Sequence, residues 1–169
     1  MSFQIKFGNL FDGDPEGFVM HGCNAQGVMG SGVARIIKDR YFQAFKVYAQ
    51  QHPHYILGEV IPVQVEDDLV IINAITQDFY GTGKVLADYD AIRQAMNGAV
   101  HVINSGTFLA PPVLHMPFIG AGLAGGDPHT IFNIMREELD DANIAAHLWL
   151  YDKEHVDILN LAGDLENLV

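Results

Sequence analysis

The sequence predicts an α/β fold built on a mixed central sheet. Apolar runs of strand length alternate with longer segments of helical period, the pattern of a layered α/β architecture. Two β-branched-rich runs, Glu59 to Val65 and Leu69 to Ile75, are separated only by Glu66-Asp67-Asp68, which suits a hairpin and adds an antiparallel member. Two glycine-rich segments each stand between a strand and a helix.

In chain order, Phe3 to Gly8 and Gly17 to Cys23 read as the first strands, with turn chemistry from Asp12 to Gly17 between them. Val33, Ile36, Ile37, Phe45 and Tyr48 recur at helical spacing and predict one amphipathic helix from Val33 to Gln51, ending before Pro53. Ile92, Ala95, Met96 and Ala99 mark a second helix from Tyr89 to about Val102, with Asp88 placed to cap it. Val113 to Ile119 reads as a strand, followed by a glycine-rich loop and a helix from Pro128 to about Asp141. Ala145 to Tyr151 is the last strand, and Lys153 to Val169 is ambiguous, with a C-terminal helix as one reading. With no internal repeat or linker, residues 1–169 are expected to form a single domain.

The formal charge of −12 argues against bulk nucleic-acid binding, which draws its affinity from Lys and Arg on phosphates. A small anionic ligand stays open, because backbone N–H groups at helix N-termini and turns hold phosphate without a cation. The single cysteine, Cys23, excludes an intramolecular disulfide and a cysteine-rich zinc site. The eight histidines show no metal-ligating spacing, so neither a metal nor a cofactor is expected. No apolar run approaches the ~20 residues of a membrane span, and the first residues do not resemble a secretory signal. A cytoplasmic monomer is the expectation.

The first glycine-rich segment is Asn24-Ala25-Gln26-Gly27-Val28-Met29-Gly30-Ser31-Gly32, and the second runs from Gly120 to Gly126. Either alone suits a tight strand-to-helix turn. Two such junctions in one small sheet point instead to an anion held between two helix N-termini. Gly120-x-Gly122-x-x-Gly125 also matches a dinucleotide fingerprint, with Asp152 after the next strand, but too little chain follows for an ordinary dehydrogenase.

These segments resemble the macrodomain family. The resemblance lies in Met20-His21-Gly22-Cys23-Asn24-Ala25, in Gly30-Ser31-Gly32-Val33-Ala34, in Gly8-Asn9-Leu10 and in Met116-Pro117-Phe118-Ile119-Gly120-Ala121-Gly122-Leu123. It covers about residues 3–152 and is nearest to the branch of ADP-ribose 1''-phosphate phosphatases and the terminal ADP-ribose protein glycohydrolase. It implies a three-layer α/β/α macrodomain with a mixed central sheet that binds ADP-ribose or a derivative. The diphosphate would meet Gly30, Ser31, Gly32 and Val33 on one side and Ile119, Gly120, Ala121, Gly122 and Leu123 on the other. Asn24 would touch the distal ribose and Asn9 the adenine, Leu10 beside it would also bind the ligand, and Tyr151 would stack on the base.

The same resemblance implies hydrolysis of ADP-ribose 1''-phosphate to ADP-ribose and phosphate, with His21 and Asp127 as the catalytic pair. Each has a structural alternative: His21 as a half-buried strand histidine, and Asp127 as the N-cap before Pro128. Removal of ADP-ribose from modified protein or nucleic acid is a second possibility. There the glycohydrolase lysine position, just after Ile75-Thr76, holds Gln77, and Lys84 lies further along. A reader module without turnover is the third.

Overall fold

The computed structural model describes residues 3–81 and 83–159. Its strands are β1 (Phe3–Phe7), β2 (Gly17–Asn24), β3 (Val60–Glu66), β4 (Leu69–Gln77), β5 (Val113–Met116) and β6 (Ala145–Leu150). Its helices are α1 (Gly32–Arg40), α2 (Phe42–Ala49), α3 (Tyr89–Asn104), α4 (Pro128–Leu139) and α5 (Lys153–Ile158). The strands form one sheet in the order β1-β6-β5-β2-β4-β3. All neighbours run parallel except β3, which pairs antiparallel with β4 through the expected hairpin.

β2 and β4 are buried along nearly their whole length, as strands covered on both faces must be. Their alternating side chains feed two cores. On one face Val19, Cys23, Leu69, Ile71 and Ile75 pack with Ile37, Tyr41, Ala44 and Tyr48 of the α1–α2 layer. On the other, Met20, Val70, Ile72, Leu114 and Met116 pack with Ile92, Met96, Ile131 and Met135 of α3 and α4. The result is a three-layer α/β/α arrangement around a mixed sheet. Asp88 caps α3 by accepting from the Ala91 N–H at 2.9 Å.

Three boundaries differ from expectation. The helix expected from Val33 to Gln51 is two helices broken at Tyr41, whose backbone leaves the helical region (φ −131°, ψ 62°). The preceding Arg40 reaches away to the Phe11 and Gly13 carbonyls, at 2.7 and 3.2 Å, and ties this break to the turn after β1. β5 ends at Met116 rather than Ile119, because Pro117 has no N–H to continue a ladder. Of the expected C-terminal helix, Lys153–Ile158 is helical; residues 160–169 lie outside the described residues.

The strand order reverses between β2 and β5. The chain leaves β2 toward the α1–α2 layer and leaves β5 toward α4 on the opposite face, so the two connections diverge. A crevice opens at the carboxyl ends of the parallel strands, where open α/β sheets take ligands.

Candidate functional site

That crevice is a cleft of about 740 Å³. Asn9, Leu10, Trp149, Tyr151, Asp152 and His155 form one end, beyond β1 and β6. Asn24, Val28, Gln77 and Tyr80 form the other, beyond β2 and β4. Gly30 to Ala34 and Ile119, Gly120 and Gly122 to Ala124 make the walls between them. The walls nearly meet, since a Cβ placed on Gly32 would lie 3.7 Å from Leu123 Cδ1.

The walls present backbone donors. Ser31 is the N-cap of α1, yet its side chain caps nothing and the first turn holds no acid. Among the described residues, the N–H groups of Gly32, Val33 and Ala34 have no intramolecular acceptor, and the first helical bond is Arg35 N–H to Ser31 O at 3.3 Å. In the facing loop the Ile119, Ala121, Gly125 and Gly126 amides are bonded internally, whereas those of Gly120, Gly122, Leu123 and Ala124 have no acceptor among the described residues. No Lys or Arg is among the lining residues. An anion between these walls would be held by peptide dipoles and the α1 N-terminus.

The second helix N-terminus is not open in the way the sequence suggests. Asp127 fills it, its Oδ2 accepting from Thr130 N–H at 2.9 Å and Thr130 Oγ1 at 2.7 Å. Those two bonds hold the Asp127 carboxyl below its ordinary range, so it is ionised and exposed. It does not line the cleft. Ala121 also turns away, with its methyl in the core and its N–H on Phe118 O at 3.2 Å.

His21 is 1% exposed and lies under the α1–α2 layer, outside the cleft lining. Asn73 donates Nδ2 to Ala44 O and Ile61 O, at 3.2 and 3.3 Å, which turns its Oδ1 toward His21 Nε2 at 2.6 Å. Nε2 therefore carries the proton and donates it. Burial drives the His21 pKa down to about 4, only partly offset by this bond, so the ring is neutral near pH 7. Cys23 Sγ is 3.6 Å from the same nitrogen and 3.9 Å from Nδ1, the ring's free acceptor, but burial pushes the thiol pKa well up. The thiol therefore stays protonated in this buried cluster.

Asn24 lines the cleft but is largely occupied within its own loop. Its Nδ2 donates to Val28 O at 2.8 Å, and its Oδ1 accepts from the Gln26 and Val28 amides at 3.0 and 3.3 Å. A register shift after Cys23 sets Asn24 beside Gln77, so two carboxamides share this end of the cleft. Gln77 Nε2 donates to Phe79 O at 2.7 Å. At the far end Asn9 Oδ1 accepts from Phe11 N–H at 2.9 Å, and Tyr151 is 77% exposed. Phe118, also in the lining, meets His155 edge-on at 5.1 Å between ring centroids.

Thus the structure brings Asn9, Leu10, Asn24, Gly30, Ser31, Gly32, Val33, Ile119, Gly120, Gly122, Leu123 and Tyr151 to one cleft and leaves His21, Asp127 and Ala121 out of its lining. Sequence reasoning missed Tyr80, Trp149 and His155, whose signal was their place at or just beyond the ends of parallel strands. It also missed Asn73, visible as one amide inside the apolar run Leu69 to Ile75. Among the described residues no group of three or more His, Cys, Asp or Glu is placed to hold a metal ion, and no helix is long and apolar enough to cross a membrane.

No family model and no curated protein matches the chain. Solved structures do. A Bacteroides thetaiotaomicron protein is 29% identical, with a TM-score of 0.73 over 88% of this chain and 98% of that one. The macrodomain of Mycobacterium tuberculosis DarG superposes with a TM-score of 0.72 at 21% identity, over 88% and 99% of the two chains. Thermosipho africanus DarTG, solved in complex with ADP-ribose, gives a TM-score of 0.65 at 15% identity over 80% of this chain and 38% of that one. The fold is that of the macrodomains.

Proposed function

We propose that the cleft binds ADP-ribose or a close derivative of it. The observation that carries this is the facing pair of backbone walls, whose unpartnered amides suit a diphosphate and whose described lining includes no Lys or Arg. The residues at the two ends of the cleft supply the rest. Aromatic Tyr151 and Phe118 suit a base at the β6 end, and the carboxamides of Asn24 and Gln77 suit sugar hydroxyls at the β4 end. The complex of the similarly folded DarTG with ADP-ribose supports the choice of ligand. Calorimetric titration with ADP-ribose, with NAD as control, tests it; preference for NAD or no heat of binding would reject it.

A finer proposal is hydrolysis of ADP-ribose 1''-phosphate. It rests on Asp127, an exposed and ionised carboxylate at the end of the second loop but outside the cleft lining, whose bonds to Thr130 keep it deprotonated and at the same time weaken it as a general base. His21 has no direct part in it, being buried, neutral and bonded to Asn73. Deribosylation through a lysine is less supported, since Gln77 stands at the position concerned and Lys84 is not in the cleft lining. The ionisable side chains that do line the cleft are Cys23, Tyr80, Tyr151, Asp152 and His155. This sparse set also favours a reader of ADP-ribosylation, and unchanged ADP-ribose 1''-phosphate after long incubation would select it.

A further inference from the structure

We propose that the hydroxyl of Tyr48, which lies outside the cleft lining, is the positioning group that holds the sugar end of the cleft in its binding shape. This rests on the assignment of the cleft to ADP-ribose. Tyr48 is fully buried in α2, with its ring against Tyr55 at 5.2 Å and Phe45 at 6.5 Å between centroids. Its oxygen lies 2.7 Å from Asn24 O and 2.8 Å from Asn24 Oδ1, and it accepts the Gly27 N–H at 3.2 Å. A phenol has one proton, so it donates to one Asn24 oxygen while a lone pair receives Gly27.

The consequence follows from what Asn24 does. Its side chain closes the loop from 24 to 28 on itself through Gln26 and Val28, and Tyr48 anchors that closed loop to the helical layer behind it. Gly27 takes a positive φ of 79°, close under Tyr55 and His52. Asp78 O ties the same loop to the strand end beyond it by accepting from Ala25 N–H at 2.9 Å. Asn24 Nδ2 keeps one proton free for a sugar hydroxyl, and the bonds around Tyr48 set its direction. Without the hydroxyl, a buried Asn24 oxygen loses its donor and the half-buried Gly27 amide loses its acceptor.

The test is calorimetric titration of wild type and Tyr48→Phe with ADP-ribose and with ADP, which has no distal ribose. Tyr48→Phe is expected to weaken ADP-ribose about tenfold, the worth of one buried hydrogen bond, and to leave ADP within about twofold. Ile103→Val, in the opposite core layer, supplies a destabilised control expected to bind both ligands as wild type does. An equal loss for both nucleotides, or a loss that Ile103→Val shares, means only general loosening and overturns the proposal. So does wild-type affinity in Tyr48→Phe, whereas a wild type that ignores ADP-ribose rejects the ligand assignment itself. Amide exchange decides the matter independently of the variant's folding: Gly27 and Val28 are expected to be protected in free wild type, and fast exchange there overturns the proposal.

Discussion

The N–H of Gly126 donates to the carbonyl of Gly120 at 2.8 Å, closing the second loop into a ring. A Cβ on Gly126 would fall 2.6 Å from that same oxygen and 2.7 Å from Ile131 Cδ1. Gly126→Ala is therefore expected to cost about 1–3 kcal/mol of stability and to weaken ADP-ribose by more than about tenfold. Chemical unfolding and titration measure the two effects. Wild-type affinity in a folded Gly126→Ala protein would remove the second loop from the ligand site.

Acid should unfold the protein through its histidines. In the unfolded chain His21 titrates at 6.5 but in the folded one at about 4, so stability is full above pH 6.5 and falls as pH drops through that window. Between pH 7 and 5 this site alone removes on the order of 2 kcal/mol. Burial and the neighbouring His147 lower His115 to about 4, and burial lowers His147, so both act in the same direction. Urea unfolding across this range checks the slope. His21→Gln, which keeps a donor for Asn73, should flatten it, and an unchanged slope would show that His21 is not the group involved.

Much of this architecture was readable in the sequence because strand burial and hairpin chemistry are local. The apolar runs at Gly17 to Cys23 and Leu69 to Ile75 became the central strands, and Asp67-Asp68 became the hairpin turn, with Glu66 drawn into the end of β3. The break at Tyr41 was not readable. Ile37, Tyr41, Ala44 and Tyr48 keep helical spacing across it, and its tie to Arg40 and the turn after β1 is tertiary. The cleft's glycines announced themselves by composition. The amides left unpartnered, the self-bonded Asn24 and the turning of His21 toward Asn73 depend on atoms brought together from β2, β4 and α2. A motif carries no record of those.

Asp127 separates into two roles by substitution. Asn keeps an oxygen for Thr130 N–H, so Asp127→Asn should unfold close to wild type, while Asp127→Ala should unfold at lower temperature. If the carboxylate is also a general base, hydrolysis of ADP-ribose 1''-phosphate disappears in both variants. Turnover that survives in Asp127→Asn would confine this residue to capping.

Tyr151 offers a test of orientation within the cleft. At 77% exposure it contributes little packing, so Tyr151→Ala should leave the melting temperature unchanged. Loss of base stacking should weaken both ADP-ribose and ADP by about three- to tenfold. A variant that weakens neither places the adenine elsewhere.

The decisive measurement is calorimetric titration of the wild-type protein with ADP-ribose against NAD under the same conditions. One-site binding of ADP-ribose at about micromolar Kd, near 8 kcal/mol, with NAD distinctly weaker, is the expected result. Absence of ADP-ribose binding, or tighter binding of NAD, would contradict the assignment of the two backbone walls to its diphosphate.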